Sequence, residues 1–305
     1  MSSSTLTKPS NTYSRAQGIA IAVVGAALMS LDPIFIRYSG VSGFDTAFLF
    51  GLFTAISMSV LLQVTDKKGL IRIMIEGGWP LFFAGLLMVG SASGLVFSVK
   101  NTSVANTFVI LSSTPAIAAV FSWFLLKEKT TPKTMLAIGA TIIGILIVVS
   151  GSIGSGHGGS GAEHWTGDLM AAGAVICLSL MFVLLRKYPH VNRMASVALG
   201  GLFVAITMSF FAEPSTYSNN TWFVMAAMGM FSAPIGRVLT KVATRYASAP
   251  EVTMTLMLET VLAPVWAFIF FREIPALNSM IGGCLIFITI ALYTIDAFKS
   301  EKASS

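Results

Sequence analysis

The chain has 305 residues, of which 55% are hydrophobic and only 10% are charged, and its net charge is +6. A soluble globular protein carries roughly 25% charged residues, so this composition excludes an ordinary water-soluble domain and predicts an integral membrane protein. The apolar residues occur in blocks of about 20, the length at which a helix crosses ~30 Å of hydrocarbon. Because lipid offers the backbone no hydrogen bonds, we expect these blocks to be helices.

Ten apolar segments follow a polar, Ser- and Thr-rich N-terminal stretch, and we number them spans 1 to 10. The hydropathy pattern predicts them at residues 17–37, 44–64, 79–98, 102–126, 132–151, 167–186, 194–211, 221–240, 249–271 and 276–296. Most connections between them are short. The one long connection contains GSIGSGHGGSG and reads as a flexible linker.

The distribution of Lys and Arg predicts the orientation. If the N-terminus lies inside, 16 of the 19 basic residues fall on inside segments, and only Arg37, Lys100 and Arg272 fall outside. The positive-inside rule then places both termini on the cytoplasmic side of the cell membrane. An even number of spans agrees with this placement.

The two halves of the chain resemble each other. A shift of 145 residues aligns Lys100 with Arg245, Ser103 with Ser248, and Lys127-Glu128 with Arg272-Glu273, and Ser30–Arg37 resembles Ser179–Arg186 at a nearby offset. Five spans per half is an odd number, so the second half must be inverted in the membrane. Inverted repeats are typical of secondary transporters, whose binding site lies near the bilayer midplane.

The repeat divides the chain into five regions. We predict a disordered cytoplasmic tail at 1–16, a first repeat at 17–151, a glycine-rich linker at 152–166, a second repeat at 167–296 and a cytoplasmic tail at 297–305.

Two stretches, Ser103–Val149 and Ser248–Leu292, each contain a helix with a Pro or Glu in its middle that ends at a Glu and is followed by a Gly-containing helix. In this the chain resembles the drug/metabolite transporter superfamily, and its EamA-type ten-helix members in particular. The resemblance covers essentially the whole chain. It implies an all-α membrane fold and export of amino acids, other metabolites or drugs, driven by proton or exchange gradients.

Three ionisable residues within spans are candidates for the site, because a charge at the helix centre costs roughly 2.5–3.5 kcal/mol. Glu259 lies near the middle of span 9, and Asp32 precedes Pro33 in span 1. Both are candidates for substrate binding and proton coupling. The alternatives are a neutral Glu259 bonded between helices, and an Asp32 near the outer interface that is neutralised by Arg37. Arg237, near the inner end of span 8, either binds an anionic group or extends to the interface.

Uncharged candidates complete the predicted binding site. Trp266 follows Glu259 by seven residues and so shares its helix face, where its ring would attract a cation. The alternative is packing or lipid contact. Asn106 and Ser113 in span 4 and Thr255 in span 9 form a polar lining on equivalent helices, unless their side chains bond to their own backbone. Ser91 in span 3 is a further candidate.

Other classes of protein fit the sequence less well. The three histidines lie in predicted loops, and no hydrolase, nucleotide-binding or metal-binding motif occurs. We therefore expect no enzymatic activity, no cofactor, no metal and no nucleic-acid partner. The partners that we expect are a small-molecule substrate and the lipid bilayer, with the chain a monomer or a weak homodimer.

The sequence thus predicts a secondary active transporter that exports a small polar metabolite, an amino acid, an amine or a related compound, by alternating access. The remaining alternatives are multisubstrate drug efflux and a channel-like permease of the same fold.

Overall fold

A computed structural model describes residues 15–66, 69–127, 132–154, 161–243 and 249–304. The first half of the chain forms helices α1 (Arg15–Met29), α2 (Asp32–Tyr38), α3 (Gly43–Thr65), α4 (Leu70–Asn101), α5 (Val104–Leu111), α6 (Thr114–Leu126) and α7 (Pro132–Gly154). The second half forms α8 (Gly161–Lys187), α9 (Arg193–Ser209), α10 (Asn219–Ala226), α11 (Ala233–Ala243), α12 (Ala249–Phe271) and α13 (Leu277–Ser304). A 3-10 turn (Pro214–Thr216) precedes α10, and a π-helical segment (Ala227–Ser232) joins α10 to α11.

Each of the ten predicted spans corresponds to a helix or to consecutive helices in the described residues. Span 1 is α1 and α2, span 4 is α5 and α6, and span 8 is α10, the π segment and α11. Five helical stretches are long and apolar enough to cross a membrane by themselves, and four shorter apolar helices accompany them within this part of the chain. The chain is an all-α multi-pass membrane protein. The helices α7 and α8 extend into the predicted linker from both sides, and residues 155–160 lie outside the described residues.

The helix starts at one end of the bundle are fixed by capping side chains. Ser42 accepts a hydrogen bond from the Asp45 backbone nitrogen at 3.2 Å, Ser103 from that of Asn106 at 3.0 Å, and Ser218 from that of Thr221 at 3.1 Å. Such caps satisfy backbone donors that a helix start leaves open. We call this end, which the charge pattern predicts to be extracellular, the outer end.

Two spans are broken where a proline follows polar residues. The helix of span 1 is interrupted at Ser30 and Leu31, just before Pro33. Proline has no N–H, so the turn before it loses a backbone hydrogen bond. Span 4 breaks in the same way at Ser112 and Ser113, with Pro115 at the start of α6. A third irregularity is Gly78, whose φ of 53° kinks α4 near its start.

The helix pairing has an approximate two-fold symmetry. Span 3 packs along span 6, and span 1 packs along span 8, which is the same pairing with the halves exchanged. Spans 2 and 7 pair with each other, as do spans 5 and 10. Gly51 and Gly201 face each other where spans 2 and 7 cross, because a Cβ on Gly51 would lie 2.7 Å from the Gly201 carbonyl oxygen. This arrangement is that of two five-helix repeats.

Candidate functional site

Three of the predicted residues meet where span 1 is broken. The side chain of Asp32, the first residue of α2, is only 6% exposed. Asp32 interacts electrostatically with Arg237 of α11 and with Glu259 of α12. A fold that brings charges from spans 1, 8 and 9 together inside the bundle forms a candidate binding site, because isolated charges in lipid are strongly disfavoured.

Ser232 holds Asp32 in place. Its hydroxyl lies 2.8 Å from the carbonyl oxygen of Leu28 and 3.2 Å from Oδ1 of Asp32, and its one hydrogen can be donated to either of them. Ser232 is the last residue of the π segment, and π-helical turns occur frequently at functional sites. Sequence reasoning missed this residue, because no local pattern distinguishes a π segment from an α-helix.

Arg237 and Glu259 are both half-buried. Among the residues that the structure describes, the Nη1 atom of Arg237 is buried and has no hydrogen-bond partner. A buried guanidinium N–H without an acceptor is costly. This atom is therefore suited to donate a hydrogen bond to an anionic or carbonyl oxygen of a ligand.

Trp266 connects span 9 to the same break in span 1. Its Nε1 atom donates to the Ser30 hydroxyl at 2.9 Å, and that hydroxyl donates in turn to the Ala27 carbonyl oxygen at 2.6 Å. The equivalent serine of the second half, Ser179, donates to the Thr114 carbonyl oxygen at the break in span 4. The two halves thus use aligned serines to hold a broken helix.

The polar residues of span 4 lie elsewhere. Asn106 is near the outer end, where its amide nitrogen lies 3.3 Å from Oδ1 of Asp168 and its amide oxygen accepts from Ser279. Asp168 is fully buried on α8 and also accepts from Thr102 at 2.8 Å. We did not single out Asp168 from the sequence, although an acid at the start of a span was a usable signal.

The remaining uncharged candidates are not brought to the charged cluster by any contact among the described residues. Ser113 donates to the Ile110 carbonyl oxygen of its own helix at 2.5 Å. Ser91 is half-buried on α4, between Gly90 and Gly94, which pack closely against α8. The side chain of Thr255 lies outside the described residues.

Arg37 does not neutralise Asp32, which corrects one of the alternatives drawn from the sequence. The Arg37 Nη1 atom pairs with Oε2 of Glu273 at 2.6 Å, while Asp32 interacts with Arg237. The reason is packing, because span 1 places Asp32 against span 8 and places Arg37 against the turn between spans 9 and 10.

A second polar cluster joins the halves at the outer end. Oδ1 of Asp45 accepts from the Tyr217 hydroxyl and from the Glu213 backbone nitrogen, both at 2.8 Å. Burial, together with the hydrogen bond and the negative charge of Asp45, raises the pKa of Tyr217. The phenol therefore stays protonated and remains a donor at physiological pH.

Comparison with known sequences decides the family. The model of the EamA-like transporter family matches residues 16–150 and again residues 165–295. The chain belongs to this family. The two matches agree with the two five-helix repeats seen in the packing.

Relatives of this EamA-like transporter extend across kingdoms. Solute carrier family 35 member G1 of Homo sapiens is 27% identical over 216 residues, which are 67% of this chain and 59% of that protein. The chain thus spans about three fifths of the human relative's length. The pseudopaline exporter CntI of Pseudomonas aeruginosa is 23% identical over 230 residues, which are 75% of this chain and 79% of that one. A chain in a solved crystal structure has the same fold, with a TM-score of 0.62 and 18% identity over 92% of this chain and 97% of the other.

The charged cluster gives this EamA-like transporter a definite chemistry. Two carboxyls and one guanidinium carry one excess negative charge unless a carboxyl is protonated. Because an uncompensated charge inside a membrane is expensive, the set favours either one bound proton or one bound cationic group. Within the described part of the chain, no group of three or more His, Cys, Asp or Glu residues is placed to hold a metal ion.

Proposed function

We propose that this protein is a secondary active transporter that exports a small polar metabolite with a cationic amino group, such as an amino acid or an amine, in exchange for protons. The site would consist of Asp32, Glu259 and Arg237, with Trp266 as an aromatic wall. The convergence of these three charges at the broken part of span 1 is the observation that carries the proposal.

The charge balance supports a cationic group. An ammonium held between Asp32 and Glu259 would cancel the excess negative charge, and Trp266 would add cation–π attraction. A carboxylate on the same substrate would accept a hydrogen bond from the buried Nη1 atom of Arg237, which has no hydrogen-bond partner within the described residues. The site thus accommodates a zwitterion as well as a simple amine.

The same balance supports exchange with protons. A proton on either carboxyl neutralises the cluster as a bound ammonium does, so the two compete for one site. If the halves rock around this site in alternating access, protons entering from outside displace the substrate outward. The name of the pseudopaline exporter describes export by one relative and agrees with this direction.

Ligand-induced thermal stabilisation of the purified protein tests the proposal. Amines, amino acids and uncharged analogues of matched size are screened at millimolar concentration against the wild type, Glu259→Gln and Glu213→Gln. A ligand stabilises by RT ln(1 + [L]/Kd), so weak substrates are also detected. Glu213, an exposed acid of the outer loop, provides the matched control.

We expect amines or amino acids to stabilise the wild type and Glu213→Gln but not Glu259→Gln, and we expect the effect to weaken as the pH falls. Equal stabilisation of all three proteins would remove Glu259 from the site. Stabilisation by the uncharged analogues alone would contradict a cationic substrate and favour a multisubstrate efflux protein.

A further inference from the structure

We propose that Arg37 and Glu273 form the outer gate of the transport path, and that breaking this ion pair opens the site to the outside. The inference rests on the proposed transport function for its biological meaning. Its evidence is independent, because it comes from the contacts at the outer end of the bundle.

The guanidinium of Arg37 is held on every side. Nη1 pairs with Oε2 of Glu273 at 2.6 Å, Nη2 donates to the Thr102 carbonyl oxygen at 2.9 Å, and Nε donates to that of Val99 at 3.2 Å. The Arg37 Cζ atom also lies 5.6 Å from the centre of the Phe271 ring. One side chain of span 1 therefore contacts the turn between spans 3 and 4 as well as the turn between spans 9 and 10.

Glu273 completes the connection. Its Oε1 atom accepts from the backbone nitrogen of Val104, the first residue of α5, at 2.6 Å. Both carboxylate oxygens of this second-half residue thus bind groups of the first half. The side chains of Arg37 and Glu273 are only 25% and 15% exposed, and an ion pair that is shielded from water is stronger than one at an open surface.

The pair lies on the outer side of the candidate site. Arg37 follows Asp32 by five residues on α2, which is about 7.5 Å along a helix. Glu273 follows Trp266 by seven residues and lies two residues after the end of α12. Tyr38 packs beside the pair, with its ring 5.1 Å from that of Phe271. Ions and aromatic rings therefore close the outer end above α2 and α12, which carry Asp32, Glu259 and Trp266.

At this end Asp45 and Asp168 also bind the other half, but through uncharged partners, whereas Lys100 stays within its own half. Lys100 donates to the Ser39 hydroxyl and to the Val41 carbonyl oxygen, which belong to its own half. Arg272, the neighbour of Glu273, is exposed. A rocking motion of one half against the other would leave the bonds of Lys100 intact but would have to break the pair between Arg37 and Glu273.

Cysteine accessibility tests the gate without any substrate. Cys177 and Cys284, which are both free, are replaced by alanine, and Ser30→Cys is added as a reporter. Ser30 is fully buried between the gate and the cytoplasmic side. Ser232→Cys, at another buried position beside Asp32, is a second reporter in case Ser30→Cys disturbs folding. Intact cells are treated with a membrane-impermeant methanethiosulfonate, and the labelling rate is measured.

Glu273→Gln and Arg37→Gln are compared with the matched controls Glu213→Gln and Arg272→Gln. We expect labelling of at least one reporter to rise about tenfold in both gate variants, since a charge-assisted bond contributes enough to shift a two-state equilibrium by that factor. The double variant should label no faster than either single one, because the pair acts as a unit. The controls should label at the parent rate.

Unchanged labelling of both reporters in both gate variants, in proteins that keep the parent melting temperature, would overturn the gate. So would equal increases in the controls. Because the labelling experiment needs no ligand, failure of the gate proposal is distinguishable from failure of the transport proposal, which the thermal screen tests separately.

Discussion

Individual polar residues in the spans fall into two groups. Ser113 and Thr114 donate to the carbonyl oxygens of Ile110 and Leu111, which the break before Pro115 leaves near them, so their hydroxyls serve the local backbone. Ser232 and Trp266 instead bind groups on other helices. The residues of the second group therefore connect helices of the two halves.

The bond between Trp266 and Ser30 gives a prediction at this scale. Trp266→Phe keeps an aromatic ring but removes the Nε1 donor, and we expect it to lower the free energy of unfolding by about 1 kcal/mol, the usual net contribution of one hydrogen bond. Denaturation of the purified protein in detergent measures the change.

Ser30→Ala and the double variant complete a mutant cycle. If the two residues act through one bond, the double variant should lose about as much as Trp266→Phe alone. Additive losses would mean that Trp266 and Ser30 contribute separately, and that the Trp266 ring is held by packing with Phe270 instead.

At the scale of helices, close approach depends on glycine. A Cβ on Gly51 would lie 2.7 Å from backbone atoms of both Gly201 and Ala205, and a Cβ on Gly201 would lie 2.9 Å from the Gly51 carbonyl oxygen. Backbone atoms cannot move away from an added Cβ by a change of rotamer, as a side chain can. Spans 2 and 7 therefore cross at this distance only because both positions lack a side chain.

We expect Gly51→Ala to force the two helices apart and to destabilise the protein by about 1–3 kcal/mol, as overpacking usually does. Gly139→Ala is the matched control, because nothing lies within 4 Å of its added Cβ and alanine favours helix over glycine by up to ~1 kcal/mol. The melting temperature in detergent should fall for the first variant and stay level or rise for the second. Equal effects would show that the crossing of spans 2 and 7 is loosely packed.

The sequence was sufficient for the helices but not for their contacts. Hydropathy predicted all ten spans, because a long apolar segment in lipid can form few structures other than a helix. Asp32, Glu259 and Arg237 were singled out because a charge within a span is costly, and their role in binding stays a prediction. The pairing of Arg37 with Glu273 and the burial of Asp168 depend on which helices become neighbours. No local pattern encodes that information, and the π segment in span 8 has no sequence signal either.

At the scale of the whole molecule, the spans of the two halves pair symmetrically, whereas the loops at the two ends of the bundle differ in charge. The turn between spans 6 and 7 lies next to Arg186, Lys187 and Arg193, whereas residues 210–218 between spans 7 and 8 contain Glu213 and no Lys or Arg. The predicted placement of both termini inside depends on this asymmetry, whereas the bounds of the repeats, linker and tails depend on the alignment of the halves. Both stay predictions.

Two exposed loop positions decide the orientation. In the background without Cys177 and Cys284, Ser215→Cys lies in the 3-10 turn between spans 7 and 8, and His190→Cys lies in the basic turn between spans 6 and 7. We expect an impermeant thiol reagent to label Ser215→Cys in intact cells and to label His190→Cys only after permeabilisation, because basic loops are retained in the cytoplasm. Equal labelling of both variants in permeabilised cells is the control for reactivity. The opposite pattern would invert the whole molecule. The Arg37–Glu273 pair would then close the cytoplasmic side, and in this conformation a substrate in the cytoplasm could not enter the site to begin its export.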